Sequence, residues 1–276
     1  FFTFLRPPRS TLFPYTTLFR SLSDAELEHI RTRSEWLYAN TDRALVYSMP
    51  GTSFGDIAFV PGPGLKDPKG IRAVEEWYVS TVIRRDYVYE VFDRECDIAL
   101  GNLARVREAL GDRIEVIFVT GTDFGTQRGP FISPDAYRDL FKPFHRRICD
   151  WIHTHTPWKI FIHTCGGVRP LVEDFIDAGF DVLNPVQCSA DGMDARKLKD
   201  DFGSRVTFWG GAIDTQKTFP FGSPEDVYRE VSERIDIFNR DGGFVFNAIH
   251  NIQAGTPVVN VRAMIEAIRD SFRSRP

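Results

Sequence analysis

Hydrophobic and polar positions follow two patterns along this chain. Short apolar runs typical of buried strands recur between longer stretches in which apolar residues return every three or four positions, as on one face of a helix. The predicted strands are Ala44–Ser48, Ile114–Thr120, Lys159–His163, Asp181–Asn184, Val206–Trp209 and Gly243–Ala248. The predicted helices span about 70–84, 86–110, 134–154, 168–178, 194–202, 224–240 and 257–272, after a first helix that starts at Ser23. This alternation predicts a parallel α/β fold.

Four helix starts carry capping signals. Ser23 precedes the first helix and Glu26 follows three residues later, which is the spacing of a capping box. The other three starts place a hydroxyl residue before a proline at the first helical position, namely Ser133-Pro134, Ser223-Pro224 and Thr256-Pro257.

The number of strands bears on the architecture. A (β/α)8 TIM barrel needs eight strands, and six are visible. We expect such a barrel, truncated at its N-terminus so that two strands are lost. An open or six-stranded α/β sheet is the structural alternative.

The first 21 residues differ from the rest of the chain. Phe1–Ser21 contains no acidic residue, repeats a TLF triplet and shows neither helical nor strand periodicity. The string LRPPRSTLFPYTTLFRS resembles a translated sequencing adapter, and a natural basic arm is the alternative. We therefore predict that 1–21 is a non-native or disordered segment outside the barrel, and that 22–276 forms one barrel domain.

Composition narrows the class of protein. A chain of 276 residues, 42% hydrophobic and 26% charged, can bury the core of one α/β domain. Its four cysteines form no paired framework, and no apolar run approaches the roughly 20 residues that span a bilayer, so we expect a cytoplasmic protein without a membrane partner. The formal charge of -4 comes without a basic stripe, which argues against nucleic acid as a partner.

Polar side chains follow four of the predicted strands. In α/β barrels the active site forms from loops at the C-terminal ends of the strands, so these junctions are the candidate site. They are Gly121–Pro130, His163–Gly167, Pro185–Cys188 and His250–Gln253.

His163 and Cys165 form the most informative pair. Side chains two apart on a strand point to the same face, and imidazole with thiolate suits zinc. His250 has the same parity as Phe244 in the last strand, so it can share that direction if the strand continues. The alternative is that both histidines are satisfied polar residues and Cys165 is a buried small residue.

Several strings of the chain resemble the uroporphyrinogen decarboxylase superfamily, over about 44–272. They are TDFGTQRGPFISPDAYRDLFKPFHRRI, FIHTCGGVRPLVEDFIDAGFDVLNPVQ, GMDARKLKDDFG, FWGGAIDTQ and VFNAIHNIQAGTPVVNVRAMIEA. Within it, the chain looks most like cobalamin-linked methyltransferases, which hold zinc through a His-x-Cys pair and a later Cys. The resemblance implies a barrel of this family's type and a zinc that activates a thiol to take a methyl group from a corrinoid protein.

The resemblance also suggests roles for residues. His163, Cys165 and His250 are the expected zinc ligands, with one position open for water or a thiol, although His250 stands where those relatives have Cys. Cys188 is expected to be ordinary packing. We further expect catalytic roles for Asp123, Gln127 and Asp214, and substrate binding by Arg128, Gln187 and Gln253. The alternative for Asp123 and Asp214 is that they brace their loops. The alternative for Gln187 is that its amide contacts the metal ligands and not the substrate.

Three functions compete at this stage. The first is zinc-dependent methyl transfer with a corrinoid protein as partner and a small-molecule methyl acceptor. The second is decarboxylation of uroporphyrinogen or a related substrate without metal, with a tetrapyrrole bound by arginines. The third is a non-catalytic truncated fragment that binds a partner or tetrapyrrole without turnover.

Overall fold

The computed structural model describes residues 3–5, 20–56 and 74–273. The chain divides into two compact units. The first comprises Phe1–Asp123, Ser133–His163 and Asp177–Phe180, and the second comprises Phe124–Ile132, Thr164–Ile176 and Asp181–Pro276.

The first unit alternates parallel strands with helices. Its strands pair in chain order, each parallel to the one before, with Thr3 opposite Leu45 and Val46 opposite Val116. The strands are β1 (Thr3–Leu5), β2 (Leu45–Ser48), β3 (Val116–Thr120) and β4 (Lys159–His163). The helices are α1 (Asp24–Asn40), α2 (Val74–Ile83), α3 (Arg85–Leu110), α4 (Pro134–Leu140) and α5 (Lys142–His155).

The second unit continues the same alternation with shorter strands. Strand β6 pairs in parallel with both β5 and β7. The strands are β5 (Val182–Asn184), β6 (Thr207–Trp209) and β7 (Phe244–Val245). The helices are α6 (Arg169–Ala178, whose last two residues belong to the first unit), α7 (Ala195–Phe202), α8 (Thr218–Phe221), α9 (Pro224–Phe238) and α10 (Val258–Arg273).

Strands β4 and β5 are buried on both faces. Ile160, Phe161 and Ile162 in β4 are all buried, as are the three residues of β5. Strands of this kind need cover on both sides, which is the pattern of parallel sheets flanked by helices. The six predicted strands are all present in the predicted order, and the α/β fold class is confirmed.

Capping explains where two helices begin. The Ser23 hydroxyl accepts the Glu26 backbone N–H, while the Glu26 carboxylate accepts the Ser23 N–H. Ser223 and Asp226 form the same reciprocal pair at α9. Both caps satisfy backbone donors that the first helical turn leaves open, so these predicted starts are confirmed.

Two predicted elements differ from the structure. The helix predicted over 134–154 is broken at Phe141, because Pro143 has no N–H to donate and cannot continue a helix that arrives from before it. The strand predicted over Gly243–Ala248 is shortened to Phe244–Val245. Residues 70–73 of another predicted helix lie outside the described residues.

The prediction that no part of Phe1–Ser21 joins the sheet is wrong at Thr3–Leu5, which pairs with β2. Three residues are too few to show a period, and an extended segment can pair with a strand edge through backbone groups alone. The end of the segment is also tied down, because the Asn102 side chain donates to the Arg20 carbonyl oxygen. The non-native origin of 1–21 stays a prediction.

Within these described ranges, no helix is long and apolar enough to cross a membrane.

Candidate metal centre

The site begins where β3 and β4 end. The two strands pair in parallel, and their register shifts by one residue between Phe118 and Thr120. Such a bulge re-aims the chain that follows it. Asp123 follows β3 by three residues and His163 is the last residue of β4, so both lie at the same end of this strand pair.

Asp123, His163 and Cys165 form a compact group. A carboxylate oxygen, an imidazole nitrogen and the thiol sulfur all lie within 4.8 Å of one another, and each of the three side chains is partly exposed. Carboxylate, imidazole and thiolate are the ligand types that zinc takes in proteins. The predicted pair of His163 and Cys165 is thus brought together, and the Asp123 carboxylate lies beside it.

Two glycines allow the chain around Cys165 to be tightly packed. A Cβ atom at Gly125 would lie 2.6 Å from the Cys165 carbonyl oxygen, and one at Gly166 would lie 2.3 Å from the Gly125 carbonyl carbon. Gly166 also has φ +90°, which side-chain-bearing residues rarely adopt. The backbones of 125 and 166 therefore touch, and only glycine fits at either position.

Hydrogen bonds from neighbouring loops hold the same segment. The Phe124 N–H donates to the Thr164 hydroxyl at 2.8 Å, and the Gly167 N–H donates to the Thr126 carbonyl at 2.8 Å. The Thr164 N–H donates in turn to the Asn184 carbonyl at 2.8 Å. Hydrogen bonds thus hold the backbone around Cys165 from both sides.

Two residues beside Asp123 were missed from the sequence. Burial raises the pKa of Tyr78 to about 12, and the negative charges of Asp123 and Asp56 raise it as well. Trp77, next to Tyr78 in α2, packs where Gly55 would carry a side chain, which places this part of α2 against the loop that contains Asp56. Asp56 lies after β2, so a search of every strand end would have found it, whereas Tyr78 lies in a helix and carries no such signal.

His250 is not part of the compact group that the described residues form, and its side chain is exposed. The parity argument for it is wrong, because β7 ends at Val245 and two consecutive residues, Ala248 and Ile249, are then buried. The alternation of faces is lost before residue 250. His250 as a zinc ligand stays a prediction without support from this geometry, and the side chain that lies beside His163 and Cys165 is Asp123.

The other predicted site residues fall into two groups. Gln127, Arg128 and Gln253 are exposed, and the Gln253 side chain donates to the Asn251 carbonyl at 3.0 Å. Asp214 braces its own loop, since one of its carboxylate oxygens accepts the backbone N–H groups of Gln216 and Lys217. Their catalytic and substrate-binding roles stay predictions.

Gln187 and Cys188 follow β5 and behave differently. Gln187 is 6% exposed, and its Oε1 accepts the Gly166 N–H at 2.9 Å. Burial raises the pKa of the Cys188 thiol to about 12, although the charge of Arg234 partly offsets this. Cys188 is not part of the group formed by Asp123, His163 and Cys165, and its interpretation as packing stays a prediction.

The parallel strands, the helices between them and the polar groups at the strand ends define a protein of the parallel α/β class. The sequence profile of Uroporphyrinogen decarboxylase (URO-D) matches residues 92–271, which is more than half of the chain. The chain belongs to the uroporphyrinogen decarboxylase family. None of the curated protein sequences gives a significant match.

One solved structure shows the same fold over most of this chain. A methyltransferase from Methanosarcina mazei has 20% sequence identity and a TM-score of 0.61, over 91% of this chain and 65% of the methyltransferase. This chain thus spans less than two thirds of that protein. Two other solved structures are too distant to carry an argument. One is a glycoside hydrolase family 5 enzyme from Prevotella bryantii, with 10% identity and a TM-score of 0.39 over 96% of this chain and 94% of the hydrolase. The other is a mandelate racemase/muconate lactonizing protein from a Geobacillus species, with 11% identity and a TM-score of 0.34 over 86% of this chain and 52% of that protein.

Proposed function

We propose that this chain acts as a zinc-dependent methyltransferase, which moves a methyl group between a corrinoid protein and a thiol. The observation that carries the proposal is the group formed by Asp123, His163 and Cys165 within 4.8 Å. Three protein donors with room for a fourth ligand are the arrangement of a catalytic zinc, whereas structural zinc sites usually have four.

The donor set suits the chemistry. A zinc ion supplies Lewis acidity that keeps an added thiol deprotonated at neutral pH. His163 and Cys165 stand on the rigid end of β4 and just beyond it, and Asp123 adds a negative charge beside them. Tyr78 is a neutral phenol at pH 7, as any tyrosine with a normal or raised pKa is, so it does not add to the negative charge near Asp123.

Methyl transfer in this proposal is a displacement at carbon. The thiol proton passes to solvent, the sulfur forms a bond to the methyl carbon, and the electron pair of the broken bond stays with the methyl carrier. Family membership and the resemblance to cobalamin-linked methyltransferases support this reaction. The fold shared with the Methanosarcina mazei methyltransferase is compatible with it.

Metal content tests the ligand set directly. We expect near-stoichiometric zinc by elemental analysis of protein purified without added metal. His163→Ala, Cys165→Ser and Asp123→Ala should each weaken zinc binding by more than the roughly 10- to 100-fold that loss of an outer hydrogen-bond partner costs. Competition with a chromophoric zinc chelator measures this without any activity assay.

Two further variants make this test decisive. Cys188→Ser should keep full zinc affinity, because Cys188 is not part of the group that lies within 4.8 Å. His250→Ala separates the two ligand sets: retained zinc supports Asp123 as the third ligand, and lost zinc restores the assignment made from sequence. Transfer itself is measured by the loss of methylcobalamin absorbance in the presence of a thiol, and exhaustive chelation should abolish it.

Decarboxylation is the second candidate, because the family profile that matches the chain is that of a decarboxylase. It predicts a different result in the same preparation. Protein freed of metal that decarboxylates uroporphyrinogen at full rate, and that leaves methylcobalamin unchanged, would replace the methyltransferase proposal.

A further inference from the structure

Thr164 lies between His163 and Cys165 in the chain, but its side chain faces the other way. Side chains along an extended segment alternate between its two faces. Exposure alternates here in the same manner, because His163 and Cys165 are partly exposed whereas Thr164 is 2% exposed. The Thr164 hydroxyl thus lies on the buried side of the segment, away from the space that the imidazole and the thiol share.

The Thr164 hydroxyl accepts a hydrogen bond from the residue that follows Asp123. The Phe124 N–H donates to Thr164 Oγ1 at 2.8 Å. Phe124 is 2% exposed, so its N–H has little access to water as a replacement acceptor. A buried N–H without an acceptor costs free energy, and the chain moves if movement lets the N–H find one. The hydroxyl therefore determines where the backbone of Phe124 lies.

Thr164 is itself held in place. Its N–H donates to the Asn184 carbonyl, at the end of β5, at 2.8 Å. Threonine is branched at Cβ, which restricts the first side-chain torsion. With the backbone bonded and the side chain restricted, the hydroxyl oxygen is a fixed point against which the loop after β3 is positioned.

Asp123 is held through both of its neighbours in the chain. On one side the Thr122 hydroxyl donates to the Phe54 carbonyl at 2.9 Å, and on the other side Thr164 holds Phe124. Consecutive Cα atoms are about 3.8 Å apart, so fixing both neighbours leaves Asp123 little freedom beyond its own side-chain torsions. Loss of either anchor would let its carboxylate leave the other two potential ligands.

We propose that Thr164 is a positioning residue of the metal centre, whose hydroxyl holds the loop after β3 so that the Asp123 carboxylate stays beside Cys165. The consequence for zinc affinity rests on the function proposed above. The placement of the carboxylate does not, and it can be measured in protein without metal.

Zinc affinity is the first readout, by competition with a chromophoric chelator. Thr164→Val keeps the shape of the side chain but removes the acceptor, and it should weaken zinc binding by roughly 10- to 100-fold, as loss of an outer hydrogen-bond partner does. Thr164→Ser keeps the hydroxyl and should bind zinc within about threefold of wild type. Thr156→Val is the matched control, because Thr156 Oγ1 also accepts a backbone N–H, from Trp158 at 3.2 Å, but at the opposite end of β4. It should leave zinc affinity within about twofold of wild type.

A double-mutant cycle separates positioning from a general loss of structure. If Thr164 acts through Asp123, then adding Thr164→Val to Asp123→Ala should change zinc affinity by no more than about twofold. A purely structural effect would add its full loss to that of Asp123→Ala. Thr164→Ala removes the same acceptor with less bulk and is measured alongside, so the test does not depend on the folding of one variant, which circular dichroism monitors.

Alkylation of Cys165 is the second readout, in protein kept free of metal by a chelator. Iodoacetate is an anion and iodoacetamide is neutral, so the ratio of their rates reports nearby negative charge, and the intrinsic reactivity of the thiol cancels. Asp123→Ala should raise the iodoacetate-to-iodoacetamide ratio by roughly 3- to 10-fold at low salt. Thr164→Val should raise it by a similar factor, whereas Thr164→Ser and Thr156→Val should not. Mass spectrometry of the peptide that contains Cys165 measures both rates.

The outcomes distinguish this inference from the proposed function. If wild-type protein binds no zinc while Thr164→Val shifts the alkylation ratio as Asp123→Ala does, the zinc function fails and the positioning role stands. If Thr164→Val and Thr164→Ala both leave the alkylation ratio as in wild type, or if their effects on zinc persist in full in the Asp123→Ala background, the inference is overturned.

Discussion

Gly166→Ala tests whether backbone contact shapes the candidate metal centre. The new methyl group would lie 2.3 Å from the Gly125 carbonyl carbon and 2.5 Å from its oxygen. Both atoms are backbone, so no flexible side chain can move away to relieve the clash. The residue would also have to keep φ +90° or change the path of the chain after Cys165.

The magnitude has two parts. A side chain in the left-handed region costs about 1–2 kcal/mol, and overpacking against fixed atoms costs roughly 1–3 kcal/mol. We therefore expect Gly166→Ala to lower the free energy of unfolding by roughly 2–5 kcal/mol. Displacement of the Gly166 N–H from Gln187 should also lower zinc affinity, on the order of 10-fold.

The assay is urea unfolding followed by circular dichroism, together with zinc titration against a chelator. Gly192→Ala is the matched control, because Gly192 has φ +77° and a Cβ there would meet nothing within 4 Å. It carries the conformational cost without the clash. If Gly166→Ala is no more destabilising than Gly192→Ala and binds zinc as wild type does, then the close approach of 125 and 166 plays no part in forming the site.

Two further predictions concern stability. Burial raises the pKa of Glu95 to about 8 from 4.5, so ionisation in the unfolded state destabilises the fold increasingly from about pH 4.5 to pH 8. Glu95→Gln should therefore raise the free energy of unfolding at pH 8.5, by at most about 5 kcal/mol, and have much less effect at pH 4.5. Urea unfolding at both pH values measures this, and equal effects at the two pH values would contradict burial as the cause. Asn260 is 1% exposed, and its side chain donates to the carbonyls of Phe219 and Gly222. Asn260→Ala should therefore lower the free energy of unfolding by roughly 2–4 kcal/mol in the same assay at pH 7. Asn251→Ala, at an exposed asparagine, is the control and should lower it little.

The strands could be predicted because their signal is local. A run such as Lys159–His163 is apolar, short and bounded by turn residues, and this is enough to place His163 at a strand end and Cys165 two residues on. The break at Phe141 was also readable, since Pro143 marks it, but an otherwise continuous helical pattern outweighed that one residue.

Asp123 as a potential metal ligand could not be predicted in the same way. Asp123 comes close to His163 beyond a one-residue register shift near Val119, and a bulge leaves no mark in the pattern of apolar residues. His250 was favoured by extending a strand that in fact ends at Val245, where backbone hydrogen bonding to neighbouring loops replaces the strand geometry. Tyr78 comes near Asp123 only because α2 packs on the loop after β2, and this packing is visible only in the tertiary structure.

The pairing of Thr3–Leu5 with β2 has a consequence for solubility. A strand edge with open N–H and C=O groups is a template on which another chain can add, and three paired residues are enough to occupy most of the four-residue strand β2. Whatever the origin of these residues, they pair with the edge of β2 and so prevent another chain from pairing with it. Protein prepared without them would present that edge to its own copies, and it would self-associate as its concentration rises.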